Sequence, residues 1–231
     1  MKKESIKIMA FKIPRSEKQG RSVTGKGEAL WAFLSEPDKR WKKDYGEFKV
    51  NLIMDKGKVS AKLIKDLETV RDEYLETLIG ELPLTAQEKI VVRDVYHDNL
   101  DAADEETGKL EFKFASPGGG VTKDGKVWTG KVRLFDSQPK QIDGKINVGN
   151  GSIIQVNYTP SAYCFKSAET GNYMVGVKCY VNDVMIHKLV EYGGGDHGFE
   201  ASEDGDGFTY EDGVPEGFKA PAGGGDGNPD F

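Results

Sequence analysis

Long apolar runs are missing from this 231-residue chain. Nothing approaches the eighteen or so consecutive apolar residues of a membrane span, so no membrane segment is expected. Two lysines near the start have no long apolar stretch behind them, which reads as no secretory signal. Cysteine is scarce: Cys164 and Cys179 are the only two, each inside an apolar strand pattern. That argues against a disulfide framework and for reduced thiols in a cytosolic protein. Histidine is scarce too, and His97, His187 and His197 show no ligand spacing with one another or with the cysteines. No nucleophile is paired with a base. The expectation is a non-enzyme with no metal and no cofactor.

Positive charge is nearly absent from the last 39 residues, 193–231, where ten carboxylates face one lysine, Lys219, among twelve glycines. No periodicity survives there. Such a stretch cannot bury enough apolar surface to offset its ordering entropy, so it reads as a disordered acidic tail acting as an interaction arm. It also masks the charge of the rest. The chain carries −6 overall, yet the part before the tail carries +3, and residues 66–106 within that part hold 13 acidic against 3 basic residues. The remainder is strongly basic, which keeps nucleic acid in play despite an acidic whole.

The residues before the tail suffice for one sizeable core. Ala29–Leu34 and Glu47–Met54 read as strands. Leu63, Leu67, Val70, Tyr74 and Leu78 are spaced by threes and fours, predicting a helix over Val59–Ile79 that ends at Gly80. Thr85 to Glu88 looks like a capping box opening a weaker helix toward Tyr96, making a helical insertion over about 59–97. Asp98–Glu106 reads as a solvated loop. From Leu110 onward the pattern is strand, with Glu111–Ala115, Lys126–Phe135 after the Asp124-Gly125 turn, Ser152–Tyr158, Ala162–Phe165 and Tyr173–Val190. Mainly β with an inserted helix, the first 192 residues predict a small barrel or sandwich.

One motif is a decoy. Gly20 to Lys26 fits seven places of a phosphate-binding P-loop, but the eighth is Gly27 where Ser or Thr must hold magnesium. Aromatic pairs two apart carry more. Trp31 and Phe33, Tyr163 and Phe165, and Phe112 and Phe114 each share one strand face by period 2. Phe112 and Phe114 read as core. Trp31 and Phe33 divide evenly between core and function, with Leu30 and Leu34 on the opposite, inner face. Tyr163 and Phe165 read as functional, because Ala162 and Cys164 serve the other face and Lys166 follows.

Cations gather beside these rings. Lys39, Arg40, Lys42 and Lys43 interleave with Trp41 and Tyr45 in one loop. Lys131 and Arg133 share a face with Phe135, and Lys178 with Tyr180. Solvated strand faces look similar, yet a cationic groove lined by rings is what single-stranded nucleic acid requires. Cations track phosphates and each base stacks on a ring.

Several stretches in order resemble the bacteriophage T7-type single-stranded DNA-binding protein family. They are Trp31-Ala-Phe-Leu-Ser-Glu-Pro-Asp38, Tyr45 to Ile53, Leu110 to Phe114, Val132 to Ser137, Gly151 to Tyr158 and Val184 to Asp196, then the acidic tail closed by Asp230-Phe231. The resemblance implies a five-stranded Greek-key OB barrel with an inserted helix. It implies single-strand coating in phage DNA replication, recombination and repair, in the cytoplasm of the infected bacterial host, and a homodimer. Tyr163 and Phe165 fall where the family has a Tyr-x-Trp stacking pair, and Trp31 and Phe33 where it has Tyr-x-Tyr. It further implies a tail, here Asp226, Asp230 and Phe231, that competes with DNA and recruits the phage polymerase and primase-helicase. The residues themselves leave single- against double-stranded preference open. A structural phage β-protein making protein contacts only is the alternative reading, and a metal-dependent nuclease or nucleotidyl transferase a further one.

Overall fold

A computed structural model describes residues 13–17, 19–40, 44–142 and 146–191, and two short strands beyond them. The chain divides into two units, Met1–Gly194 and Gly195–Phe231. In the first, five strands close a barrel: β1 (Gly27–Asp38), β2 (Glu47–Asp55), β3 (Glu106–Pro117), β4 (Ile153–Lys166) and β5 (Tyr173–Lys188). The antiparallel pairs are β1 with β2, β2 with β3, β4 with β5 and β4 with β1, and a parallel contact at Phe114 and Cys179 joins β3 to β5. This is the OB barrel. Inward positions alternate with outward ones: Phe48, Val50, Leu52, Phe112, Phe114, Val156, Tyr158 and Val184 fill the interior. Phe112 and Phe114 are therefore core, as their pattern predicts.

The helix α1 (Lys58–Glu81) follows β2. Its first half sends Leu63 and Leu67 into the barrel, while Tyr74 and Leu78 make a second cluster with Ala162 and Val175. The helix runs through Gly80 rather than ending there. Leu82, the residue before Pro83, is extended at φ −78° and ψ 140°, as the proline ring demands. The weaker helix shrinks to Leu84–Gln87. Gln87 donates its amide to the carbonyls of Ile79 and Leu82 and so closes the end of α1. The β-branched run beyond it, Ile90–Val92, pairs in parallel with the start of β5. His97–Leu100 pairs with β3, so the acidic stretch predicted as loop is partly sheet.

Lys126–Phe135 is likewise not one strand. Val127–Thr129 pairs with Gly119–Val121 as a small hairpin, and Arg133–Phe135 lies parallel to β5. Val132 and Leu134 still point inward, with Lys131 and Arg133 out. The P-loop resemblance disappears in the fold: Ser22–Val23 pairs with β4, and Thr24 exchanges two hydrogen bonds with Val156. In the second unit Thr209–Glu211 pairs antiparallel with Val214–Glu216. No regular structure was expected in that stretch, although Asp212-Gly213 between the two segments is a two-residue hairpin signal.

Strand β1 departs from simple alternation. Leu30 pairs with Asn51 but Phe33 with Lys49, so between these two positions β1 carries one extra residue, a β-bulge, and the register shifts again between Phe33 and Asp38. Trp31 is that residue. Its backbone sits at φ +53°, and its N–H donates to Asn150 Oδ1 at 2.9 Å. The bulge breaks the period-2 argument: Ala29, Ala32 and Leu34 face inward, while Leu30 does not share their side. Trp31 is thrown outward, 55% exposed. A bulky residue in the left-handed region is strained, by about 1–2 kcal/mol. Trp31→Gly is therefore expected to change the unfolding free energy by no more than about 1 kcal/mol, strain relief offsetting lost chain stiffness. A loss above ~2 kcal/mol in urea titration would mean the indole is packed rather than presented.

Candidate nucleic-acid interface

The outer barrel face gathers residues far apart in sequence. Phe33 on β1 neighbours Lys49 on β2, Lys49 neighbours Ala115 on β3, and β5 follows with Gly176, Lys178 and Tyr180. Across β5 stand Tyr163 and Phe165 of β4, paired with Gly176 and Met174. Their rings lie 6.0 Å apart at 23°, and Phe165 is 46% exposed. The alternation seen in the sequence holds here, because Ala162 and Cys164 turn the other way onto Tyr74 and Leu78 of α1. Gly176 is needed under the pair. A Cβ there would come within 2.7 Å of Tyr163 Oη, so the ring lies directly over the β5 backbone.

Beside Tyr163 opens a cleft of about 600 Å³ between β3, β5 and the segment after Ile90–Val92. Arg93, His97, Lys113 and Met174 share its lining. The sequence reading misses Arg93, Lys113 and Lys49. Outward alternation in β2 and β3 marks both lysines, whereas Arg93 is hidden by the acidic stretch around it.

Phe33 carries cations on its ring: Arg40 Cζ is 4.9 Å and Lys49 Nζ 5.1 Å from its centroid. Both also hold Asp38. Arg40 donates from Nε and Nη2 at 3.0 and 2.9 Å, and Lys49 Nζ lies at 2.6 Å. Arg40, then Lys49, hold the buried Asp38 carboxyl well below the ordinary carboxylate range. A depressed folded value stabilises the fold above the ordinary value of about 3.9, and that stabilisation is lost as pH falls from there. Asp38→Asn is expected to lower the urea midpoint at pH 6, with the gap to the unaltered chain narrowing at pH 3. A gap independent of pH would contradict this.

Other predicted phosphate ligands are paired as well. Arg133 makes a bidentate pair with Asp183 at 2.6 and 2.8 Å, and Lys178 Nζ lies 3.2 Å from Glu47 and 5.3 Å from the Tyr180 ring. Lys39, Lys131 and Lys166 show no ion pair among the described residues, and Lys166 lies 5.7 Å from the Tyr173 ring. Tyr45 is half-buried, against the backbone of Gly119. Trp41, Lys42, Lys43, Asp226, Asp230 and Phe231 lie outside the described residues. Among the described residues no His, Cys, Asp and Glu group could hold a metal ion, and no helix is long and apolar enough to cross a membrane. Burial pushes the Cys179 thiol up to about 12 and raises Cys164, so neither is a thiolate at neutral pH.

Comparison with known proteins bears on the fold and the family. The structure is similar to that of gp2.5, a single-stranded DNA-binding protein encoded by bacteriophage T7, at 21% identity and a TM-score of 0.57, covering 80% of this chain and 100% of that one. The single-stranded DNA-binding protein of bacteriophage Enc34 aligns more loosely. Its C-terminally truncated form gives 11% identity and a TM-score of 0.45 over 79% of this chain and 98% of that one. Its complex with single-stranded DNA gives 12% and 0.45 over 80% and 100%. No curated protein matches the chain. The family described as single-stranded DNA-binding protein, bacteriophage T7, matches residues 25–189, most of the chain. The chain belongs to the bacteriophage T7 single-stranded DNA-binding protein family.

Proposed function

We propose that this protein binds single-stranded DNA along the outer face of β5, with bases stacked on Tyr163 and Phe165 and phosphates drawn to the lysines and arginines around them. The observation that carries the reading is the stacked Tyr163–Phe165 pair, with half-buried Tyr163 laid over Gly176 and Phe165 exposed beside it. These rings are not needed to fill the core, which Ala162 and Val175 serve on the opposite face. A solvated charged face accounts for the lysines but not for two large rings held beside them. Stacking is tolerant of base identity because every base has a π-face, so the protein coats single strands with little sequence preference during phage DNA replication, recombination and repair.

The acidic residues 193–231 act in the same reading as a competitor. Their carboxylates resemble phosphates and their five aromatic residues resemble bases. Bound DNA displaces them and leaves Asp230 and Phe231 for replication proteins such as a polymerase and a primase-helicase.

Fluorescence anisotropy with labelled oligothymidine, across salt, tests both parts. The full chain should bind at low salt, and log affinity should fall linearly with log salt at about −0.7 per neutralised phosphate. A chain ending at Gly195 should bind more tightly. No binding at low salt sinks the groove; equal or weaker binding by the shortened chain sinks the competition alone.

A further inference from the structure

A second cleft, of about 560 Å³, lies farther along β5 and includes Trp128, Arg21, Lys131, Arg133 and Asp183 in its lining. We infer that it is a second single-strand subsite, in which Trp128 stacks one base and Arg21, Lys131 and Arg133 hold the adjoining phosphates. The inference rests on the groove reading above and extends its path.

Trp128 faces Gly120 across the small hairpin. A Cβ at Gly120 would approach the indole Nε1 to 3.0 Å and Cε2 and Cζ2 to 3.3 Å. The ring is thus laid against bare backbone, which fixes its orientation. It remains 42% exposed. An indole recruited only for packing would be mostly covered, since that burial is the source of its stabilisation.

Charge favours the same ligand. Three cations line the cleft against the single carboxylate of Asp183, which Arg133 grips in two hydrogen bonds and Arg21 approaches at 3.8 Å. Lys131 has no ion pair among the described residues. A phosphate arriving here finds an excess of positive charge, and Asp183 acts as a built-in counter-ion that it must outcompete. The bulge in β5 opposite Asn157 and Tyr158 turns both Asn182 and Asp183 toward this cleft.

From Gly176, under Tyr163, the outward side of β5 runs through Lys178 and Tyr180 to Asn182. Six residues of strand span about 20 Å at ~3.3 Å each. One strand of about six or more stacked nucleotides, at ~3.4 Å each, reaches from the first rings to Trp128.

The chain holds three tryptophans, so Trp31→Phe with Trp41→Phe leaves Trp128 as the sole reporter and keeps an aromatic ring at both altered positions. Titrating that variant with a 12-nucleotide oligothymidine should quench its emission. Trp128→Ala should weaken binding of the same oligonucleotide about tenfold. Arg133→Gln should weaken it, whereas Asp183→Asn should tighten it, with thermal unfolding confirming that each variant is folded. Unchanged emission together with unchanged Trp128→Ala affinity overturns the subsite while the oligonucleotide still binds. Absence of binding by the unaltered chain is a different result, and overturns the groove itself. Equal or weaker binding by folded Asp183→Asn overturns the counter-ion role.

Discussion

Tyr163→Ala is expected to weaken oligothymidine binding by about 1–3 kcal/mol, roughly 5- to 150-fold, with the fold intact. Phe165→Ala should act similarly. Because the two rings stack with centroids 6.0 Å apart, each orders the other, and the double variant should lose less than the sum of the singles. Stability should move by no more than about 1 kcal/mol, since Phe165 is half-exposed and Tyr163 rests on backbone rather than in the core. Anisotropy titration paired with urea denaturation separates these effects. A variant that binds normally shows the rings to be bystanders. One that unfolds shows that they belong to the core after all. Gly176→Val offers the complementary disturbance: all chemical groups of the site remain, but the added side chain lifts Tyr163 from its seat, and binding should fall in the same direction.

The reverse separation is expected in the barrel. Phe114 is 1% exposed and packs edge-on against Tyr158 with ring centroids 5.2 Å apart, at the point where β3 meets β5. Phe114→Ala removes most of a ring from a closed interior that cannot collapse around the gap. The expected loss is about 3–5 kcal/mol. Set against a typical total of about 5–15 kcal/mol, that leaves the variant marginal. Chemical denaturation reads the midpoint, and the dependence on denaturant should keep its slope if only stability has changed. A loss below about 1.5 kcal/mol would mean that neighbouring side chains refill the space. The same substitution should affect DNA binding only in proportion to the unfolded fraction, since Phe114 faces away from the groove.

Paired arginines change what the basic residues are expected to do. Arg40 and Arg133 are each committed to a carboxylate, Asp38 and Asp183. Binding at these places exchanges one anion for another and releases fewer counterions than a bare cation would. Lys131 and Lys166, with no ion pair among the described residues, should therefore contribute more to the salt slope than either arginine.

How much of this was legible in the sequence follows from the range of the interactions. Alternation within one strand is local. It sufficed to put Phe112 and Phe114 inside, and to set Tyr163 and Phe165 against Ala162 and Cys164, because period 2 is a property of extended backbone. The spacing of Leu63, Leu67, Tyr74 and Leu78 located α1 for the same reason, and the charge count separated an acidic end from a basic body. Where one residue was inserted, the local argument failed. The bulge at Trp31 is anchored by Asn150, 119 positions away, so the sequence around Trp31 carries no sign of it. The same holds for the parallel closure of β3 on β5, for Asp183 meeting Arg133 and Arg21, and for the glycines beneath Tyr163 and Trp128. Composition and periodicity determined which segments are strands and helix and which rings can leave the core. Only the tertiary structure decided which rings and charges meet on one face, because loop closure brings together residues whose pairing leaves no local pattern.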